Sequence, residues 1–285
     1  MTLPKISAVM CTYGRFAFVE RQLNCFLNQT YPNKELIIYN TDVESPYFTQ
    51  IGSGNGQFGG ELESLNVHIV NCNMDKVTGE PYTNVGAIRR DALEYATGDY
   101  YICWDDDDVH MPWFMQQGFD RIQATGLPFF KPEQSFFYSG DNLRLVTNTM
   151  EASVLCDMAK VKEYGFLLET GKEGLGWYTK ARDNKELDEH DTYYIPAYCF
   201  DWNSNPNNTF IHRQSGDIDN PQNFTNHKAA SKDAVNGRLL QVYDGKKMRE
   251  IYKPYFDFID ARKADFPKDL LDRYFSRYGH PQSAL

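Results

Sequence analysis

Tyr100-Tyr101-Ile102-Cys103-Trp104-Asp105-Asp106-Asp107-Asp108 decides the fold: five apolar or aromatic residues run directly into four consecutive carboxylates. The first part has the length and composition of a buried strand. The second is electrostatically costly, because each carboxylate raises the pKa of its neighbours. A divalent cation relieves that repulsion, and hard oxygen ligands favour Mg²⁺ or Mn²⁺. Taken alone, the run fits a solvated acidic turn or a helix start ahead of Pro112 equally well. A calcium loop of the EF-hand type does not fit, since its glycine and terminal glutamate are absent.

Outward from this stretch, strands and helices alternate. Residues 84–96 form a helical pattern with Val85, Ile88, Ala92, Leu93 and Ala96 facing inward. Ile6-Ser7-Ala8-Val9-Met10 is a strand that ends in Cys11-Thr12-Tyr13-Gly14. A helix follows, with Val19, Leu23, Phe26 and Leu27 on one face, and Tyr31-Pro32-Asn33 stops it. Glu35 to Tyr39 is a second strand and Val67 to Val70 a third. This alternation predicts an α/β fold with a parallel, doubly wound sheet and helices on both faces. Ligands of such sheets bind beyond the carboxyl ends of the strands, where Thr12, Asn40 and the aspartates lie. That placement favours a functional cluster over an acidic turn.

The glycine-rich segment 51–60 neither follows a strand nor opens a helix, and is expected to be a surface loop. Residues 126–215 are less regular, with short apolar runs such as Pro128-Phe129-Phe130 and Ala152 to Cys156. Residues 228–285 look helical and carry 12 basic against 8 acidic residues, a local +4 against −14 elsewhere. Solvated helix faces explain that, or a docking surface for an anionic partner such as a membrane or a nucleic acid.

Composition bounds the function. Hydrophobic residues are 41% and charged residues 24%, as in a globular protein, and aromatics reach 15%, which suits cores and also sugar or base stacking. A net charge of −10 argues against a simple polyanion binder, which needs a basic face. No signal peptide or membrane-spanning run is expected. Six widely spaced cysteines with no C-x-x-C pair suggest reduced thiols in a cytoplasmic protein.

Several segments occur in the order seen in family 2 glycosyltransferases. They are Pro4 to Tyr13, Asn28 to Ile38, Asn84-x-Gly86 with Arg90-Asp91-Ala92-Leu93, Ala96-Thr97-Gly98-Asp99-Tyr100, and Trp104 to Asp108. The resemblance is clear over about residues 5–120 and weaker to about 215. It implies a GT-A fold: a nucleotide-sugar-binding half over 1–125, an acceptor-binding half over 126–215, and a helical C-terminal extension over 216–285. Thr12 and Tyr13 match the segment that contacts the nucleoside. The family's second strand usually ends Asp-Asp-Gly-Ser, whereas here it ends Tyr39-Asn40-Thr41-Asp42, leaving Asn40 and Asp42 as rivals for the base. Asn84 and Arg90 match positions beside the nucleotide, although Asp91 replaces an asparagine. In the Asp-x-Asp-Asp (DXD-type) pattern, Asp105 looks toward ribose or metal, Asp106 stands beside it, and Asp107 ligates the metal.

On the acceptor side, Asp188-Glu189-His190-Asp191 resembles the motif whose aspartate is the base of inverting members. Asp191 is the expected base and Glu189 its rival, with a polar helix start as the plainer alternative. Trp177 and Tyr178 suit stacking on the acceptor, although a large core aromatic explains Trp177 as well. Phe210-Ile211-His212-Arg213 resembles a late element that brings an imidazole to the metal, making His212 a candidate ligand beside Mn²⁺ or Mg²⁺. The implied activity is transfer from a nucleotide-sugar donor, UDP-linked by preference, to a carbohydrate or other acceptor hydroxyl. Two alternatives stand beside it. Nucleotidyl transfer to a sugar phosphate would want a glycine-rich basic loop after the first strand, which Cys11 to Arg15 supplies poorly. A catalytically inactive carbohydrate-binding or scaffold protein would have no need of Asp107 and Asp191.

Overall fold

Two sheets organise the chain. The computed structural model describes residues 2–13, 16–43, 62, 64–106, 108–110, 113–139, 142–147, 151–169, 173–190, 210–213 and 239–244. Strand β1 (Ile6–Thr12) leads through helix α1 (Phe16–Leu27) to β2 (Lys34–Asn40), and β3 (Val67–Asn71) follows. Helix α2 (Val85–Ala92), prolonged by a 3-10 turn (Leu93–Tyr95), returns the chain to β4 (Tyr100–Cys103). β1, β2, β3 and β4 run parallel, with β1 between β2 and β4. The continuous burial of β1 and β2 is what a strand covered on both faces requires.

The short β5 (Val109–His110) leads to helix α3 (Phe114–Thr125) and β6 (Phe129–Pro132). A hairpin follows, β7 (Gln134–Ser139) and β8 (Asn142–Thr147), then β9 (Leu155–Asp157) and helix α4 (Met158–Tyr164). Helix α5 (Leu175–Asp183) and β10 (Leu187–His190) come next, and β11 (Phe210–Arg213) and β12 (Leu239–Asp244) are the last described strands.

The central sheet has the order β10-β6-β9-β4-β1-β2-β3, with only β9 antiparallel to its neighbours. The doubly wound expectation therefore holds, and the sheet does not stop at residue 125. The apolar runs at 128–130 and 152–156 become β6 and β9, so the chain after residue 125 extends the same sheet. A second sheet, β12-β8-β7-β11-β5, is built from the hairpin and from strands distant in sequence.

The expected C-terminal helix is corrected at one place. Leu239-Leu240-Gln241-Val242-Tyr243 pairs antiparallel with β8 instead, as a short run of apolar, branched and aromatic residues does when a strand edge is offered. The rest of 216–285 and the glycine-rich 51–60 lie outside the described residues.

The core packs the central sheet against its helices. Trp104 is fully buried, stacked on His110 at 3.8 Å and touching the edge of Phe26 at 6.2 Å. Helix α2 is pressed against residues 167–169: a Cβ on Gly86 would lie 1.8 Å from the Leu167 carbonyl oxygen. Only glycine permits that approach, which fixes the helix start beside the carboxyl ends of the strands.

Candidate active site

The carboxyl ends of β1, β2 and β3 open on a cleft of about 470 Å³, a usual size for a small-molecule site. Tyr13, Asp42, Asn73, Tyr82 and Asn84 are among its walls. Tyr13 is 68% exposed, a flat ring open to stacking. Asn84 combines two tasks, since it borders the cleft and caps α2 by accepting a hydrogen bond from the Ala87 amide at 2.8 Å. Tyr82 is anchored behind the wall, donating to Asp91 at 2.7 Å and paired with the Tyr39 hydroxyl at 2.8 Å.

The structure separates the two candidates at the end of β2. Asn40 is fully buried, and its side chain turns inward on the protein. Its amide donates to the Asp42 carbonyl at 2.7 Å and to Asn71 Oδ1 at 2.9 Å, while its own oxygen accepts from the Asp42 amide at 3.1 Å. Those bonds use both of its N–H donors within the protein. Asp42 remains on the cleft wall.

Thr12 is similarly corrected. It is 5% exposed and its hydroxyl donates to Asp106 Oδ2 at 2.7 Å, so its side chain braces the aspartate run. Asp106 itself is 4% exposed and Asp108 is fully buried. The Asp108 carbonyl accepts from Gln22. Asp105 is the open member, with 30% of its side chain exposed. Its Oδ1 takes hydrogen bonds from Arg89 at 2.9 Å and from the Cys103 thiol at 3.3 Å, and none to Oδ2 is made among the described residues. Asp107 lies outside those residues. Among them no three His, Cys, Asp or Glu side chains converge as a metal cage. A cation held by one or two carboxylates plus diphosphate oxygens and water needs no such cage, and the half-engaged Asp105 fits that donor set.

Arg89, not Arg90, is the arginine at the aspartates. Its side chain is 8% exposed and lies against Asp105, Glu151 and Glu173. Burial pushes the Glu151 carboxyl up to about 7, against the opposing pull of the Arg89 cation. Arg90 points elsewhere, paired with Asp75 at 2.6 Å and Asp91 at 2.7 Å. Helical periodicity carries the distinction: at 100° per residue Arg89 sits roughly 40° from Val85 on the inward stripe, and Arg90 roughly 140° away.

In the acceptor half, Trp177 is corrected outright. It is fully buried, stacked on Phe129 with ring centroids 5.8 Å apart, and no face of it reaches an acceptor. Tyr178 is half-buried, its hydroxyl 3.0 Å from Lys131 Nζ and donating to Glu189 at 3.2 Å. Glu189 pairs with Lys131 at 2.7 Å across the β10–β6 register. Burial pushes its pKa up, but the Lys131 bond and charge and the Tyr178 hydroxyl together hold it below the usual range. β10 stands three strands from β4, about 14 Å at ordinary strand spacing, so Glu189 is not beside Asp105. Asp191 lies outside the described residues. His212 lies in β11, where Phe210 and Ile211 pair with His110 and Val109. On its other side His212 pairs with Phe137 of β7.

No protein-family model and no curated protein matches the chain. Its fold is similar to solved structures from two organisms. A crystal structure of S. aureus TarS 1-349 in complex with UDP-GlcNAc aligns over 94% of this chain and 77% of that one, with 14% identity and a TM-score of 0.53. Mannosyltransferase PcManGT from Pyrobaculum calidifontis, in complex with GDP-Man and Mn²⁺, aligns over 99% of this chain and 77% of that one, with 12% identity and a TM-score of 0.52. Another TarS structure is covered over 44% of its length, at 14% identity and a TM-score of 0.52, so the chain spans less than half of it. At such identities the fold is what is shared. It is the GT-A fold that the ordered segments from Pro4 to Asp108 imply.

Proposed function

We propose that this chain transfers a glycosyl unit from a nucleoside diphosphate sugar to an acceptor hydroxyl with inversion, aided by Mn²⁺ or Mg²⁺. The observation that carries the proposal is the cleft beyond β1–β3 together with Asp105 after the adjoining strand β4, whose Oδ1 is engaged and whose Oδ2 takes no hydrogen bond among the described residues. In the shared fold, TarS is solved with UDP-GlcNAc and PcManGT with GDP-Man and Mn²⁺.

Tyr13 and Asp42 would receive the base, a uridine by preference, with the Asp42 carboxylate accepting from its N–H edge. Asn84 and the start of α2 would face the polar part of the nucleotide. Asp105 and Asp107 would hold the diphosphate end through the cation, with His212 as a further ligand from the neighbouring strand. When bound, the cation supplies Lewis-acid neutralisation of the departing diphosphate. Asp191 would accept the acceptor's proton as its oxygen attacks the anomeric carbon from the opposite face, with Glu189 as the rival base. Tyr178 remains the acceptor-side aromatic. The overall charge of −10 favours a carbohydrate or another neutral hydroxyl over a nucleic acid as acceptor. No helix among the described residues is long and apolar enough to cross a membrane. A peripheral contact through the basic C-terminal segment fits that observation.

Calorimetry with UDP and with GDP, in MnCl₂ and in EDTA, tests the donor side. Tight binding with Mn²⁺ and weak binding in EDTA is expected; equal affinity removes the cation-bridged site. On the acceptor side, Asp191→Asn should bind nucleotide normally and lose about 10²–10⁴ in transfer rate, the usual contribution of a positioned base. Near wild-type transfer by Asp191→Asn beside an inactive Glu189→Gln would move the base to Glu189.

A further inference from the structure

Four chain segments converge on the Arg89 guanidinium. Arg89 projects from α2, Asp105 follows β4, Glu151 opens the 3-10 turn Glu151–Ser153 ahead of β9, and Glu173 directly precedes Gly174 and α5. The NH2 group reaches Asp105 Oδ1 at 2.9 Å and Glu173 Oε1 at 3.2 Å, and NH1 donates to Glu151 Oε1. A planar fork of five donors spans three carboxylates in fixed directions, whereas a lysine ammonium has no such geometry.

The cluster is not built as an economical ion pair. Three carboxylates share one cation, the Arg89 and Glu173 side chains are each 8% exposed, and Glu173 Oε2 is buried with no hydrogen-bond partner among the described residues. Buried charge left uncompensated is destabilising, so stability alone does not account for the second and third carboxylates. The packing around them is equally committed: a Cβ on Gly174 would lie 1.5 Å from Glu151 Oε2, so the glycine is what lets Glu151 sit there. Asp105 shows what the arrangement achieves. Its Oδ1 is fixed by Arg89 and Cys103, which sets the carboxylate plane and leaves Oδ2 for a ligand.

We propose that Glu151 and Glu173 are positioning residues that hold Arg89 so that it fixes the Asp105 carboxylate for the cation-bridged diphosphate. Neither glutamate touches the donor; both act through Arg89. Because Glu173 leads into α5, the same contact ties an acceptor-half helix to the donor aspartate. The inference rests on the glycosyl-transfer function proposed above.

The test is calorimetry with UDP in MnCl₂ and in EDTA, on the full chain, with thermal unfolding measured in parallel. Glu173→Gln preserves size and removes the charge. It should reduce the Mn²⁺-dependent gain in UDP affinity about tenfold, the low end of what outer partners of a metal ligand contribute, with affinity in EDTA within about twofold of wild type. Arg89→Lys keeps the charge and should not restore the gain. Asp105→Asn should lose the gain by itself, and adding Glu173→Gln to it should change nothing further, because one acts through the other. A merely structural role predicts a lowered unfolding temperature with the Mn²⁺-dependent gain intact. An intact gain in folded Glu173→Gln, or additive losses in the double variant, overturns the proposal. If Glu173→Gln does not fold, Glu151→Gln carries the same measurement with the same two outcomes. A wild-type chain with no Mn²⁺-dependent gain refutes the donor site itself, and this inference with it.

Discussion

The two ends of the central sheet treat buried carboxylates in opposite ways. At the amino end, Glu35 is the second residue of β2, with a side chain only 3% exposed. It accepts from Ser7 Oγ at 2.6 Å, from the Thr97 amide at 2.6 Å and hydroxyl at 2.8 Å, and from Lys5 Nζ at 3.3 Å. Burial works against its ionisation, but these donors outweigh it and hold the pKa below the ordinary value. At the carboxyl end, three carboxylates compete for one guanidinium and one oxygen is left without a partner among the described residues. A surplus of donors ties strands together. A surplus of acceptors departs from the packing rules around it, which is the kind of local exception that the proposed donor site would need.

The largest expected effect lies at the acceptor-rich end. Asp105→Asn should lower transfer by about 10²–10³, as loss of one preorganised electrostatic partner does, with thermal unfolding nearly unchanged. Loss of fold without a change in specific rate would erase the contrast between the two ends. Next in size, Glu35→Gln should destabilise by roughly 2 kcal/mol, since hydrogen bonds to a charged group are being weakened. Urea unfolding measures that loss, while UDP affinity should stay within error. A weaker nucleotide complex would join the two ends functionally.

The pH dependence of stability sharpens the comparison further. Glu35, with its lowered pKa, contributes stability that is complete above the ordinary value of 4.5 and lost as pH falls through the folded value. Glu151, raised to about 7, has the opposite sign: its contribution is complete below 4.5 and lost as pH rises through about 7. Thermal unfolding from pH 3 to 8 should therefore show Glu151→Gln flattening the neutral side and Glu35→Gln flattening the acid side. The smallest effect is expected from Ser7→Ala, roughly 1 kcal/mol for one hydrogen bond among four. A larger loss would make Ser7, which also accepts from the Gly98 amide at 2.8 Å, the keystone of that end.

The first four strands were legible because parallel strands covered on both faces read as unbroken apolar runs. What the runs at 128–130 and 152–156 do not carry is their pairing, because β9 enters the sheet antiparallel between β4 and β6, and only tertiary packing fixes that. The 239–244 strand was hidden by its basic, helix-like surroundings. At the site, the aspartate run announced itself, but its brace did not: Arg89 and Glu151 stand 62 residues apart, and no local pattern links them. The inward side of Arg89 itself was readable from the 3.6-residue period, which the motif match at Arg90 does not report. The same period places Trp177 with Ala181 on one buried face of α5 and sets Tyr178 off it.

The closed turn at the end of β2 has a practical corollary. Asn40 holds the backbone of residue 42 in place through its own amide and carbonyl, so the turn does not depend on which side chain residue 42 carries. The wall of the cleft is thereby insulated from the strand beneath it. Substitutions at position 42 should therefore leave the sheet intact, and if the proposed donor site is right, a small library at that single codon is the entry point for retargeting the nucleotide.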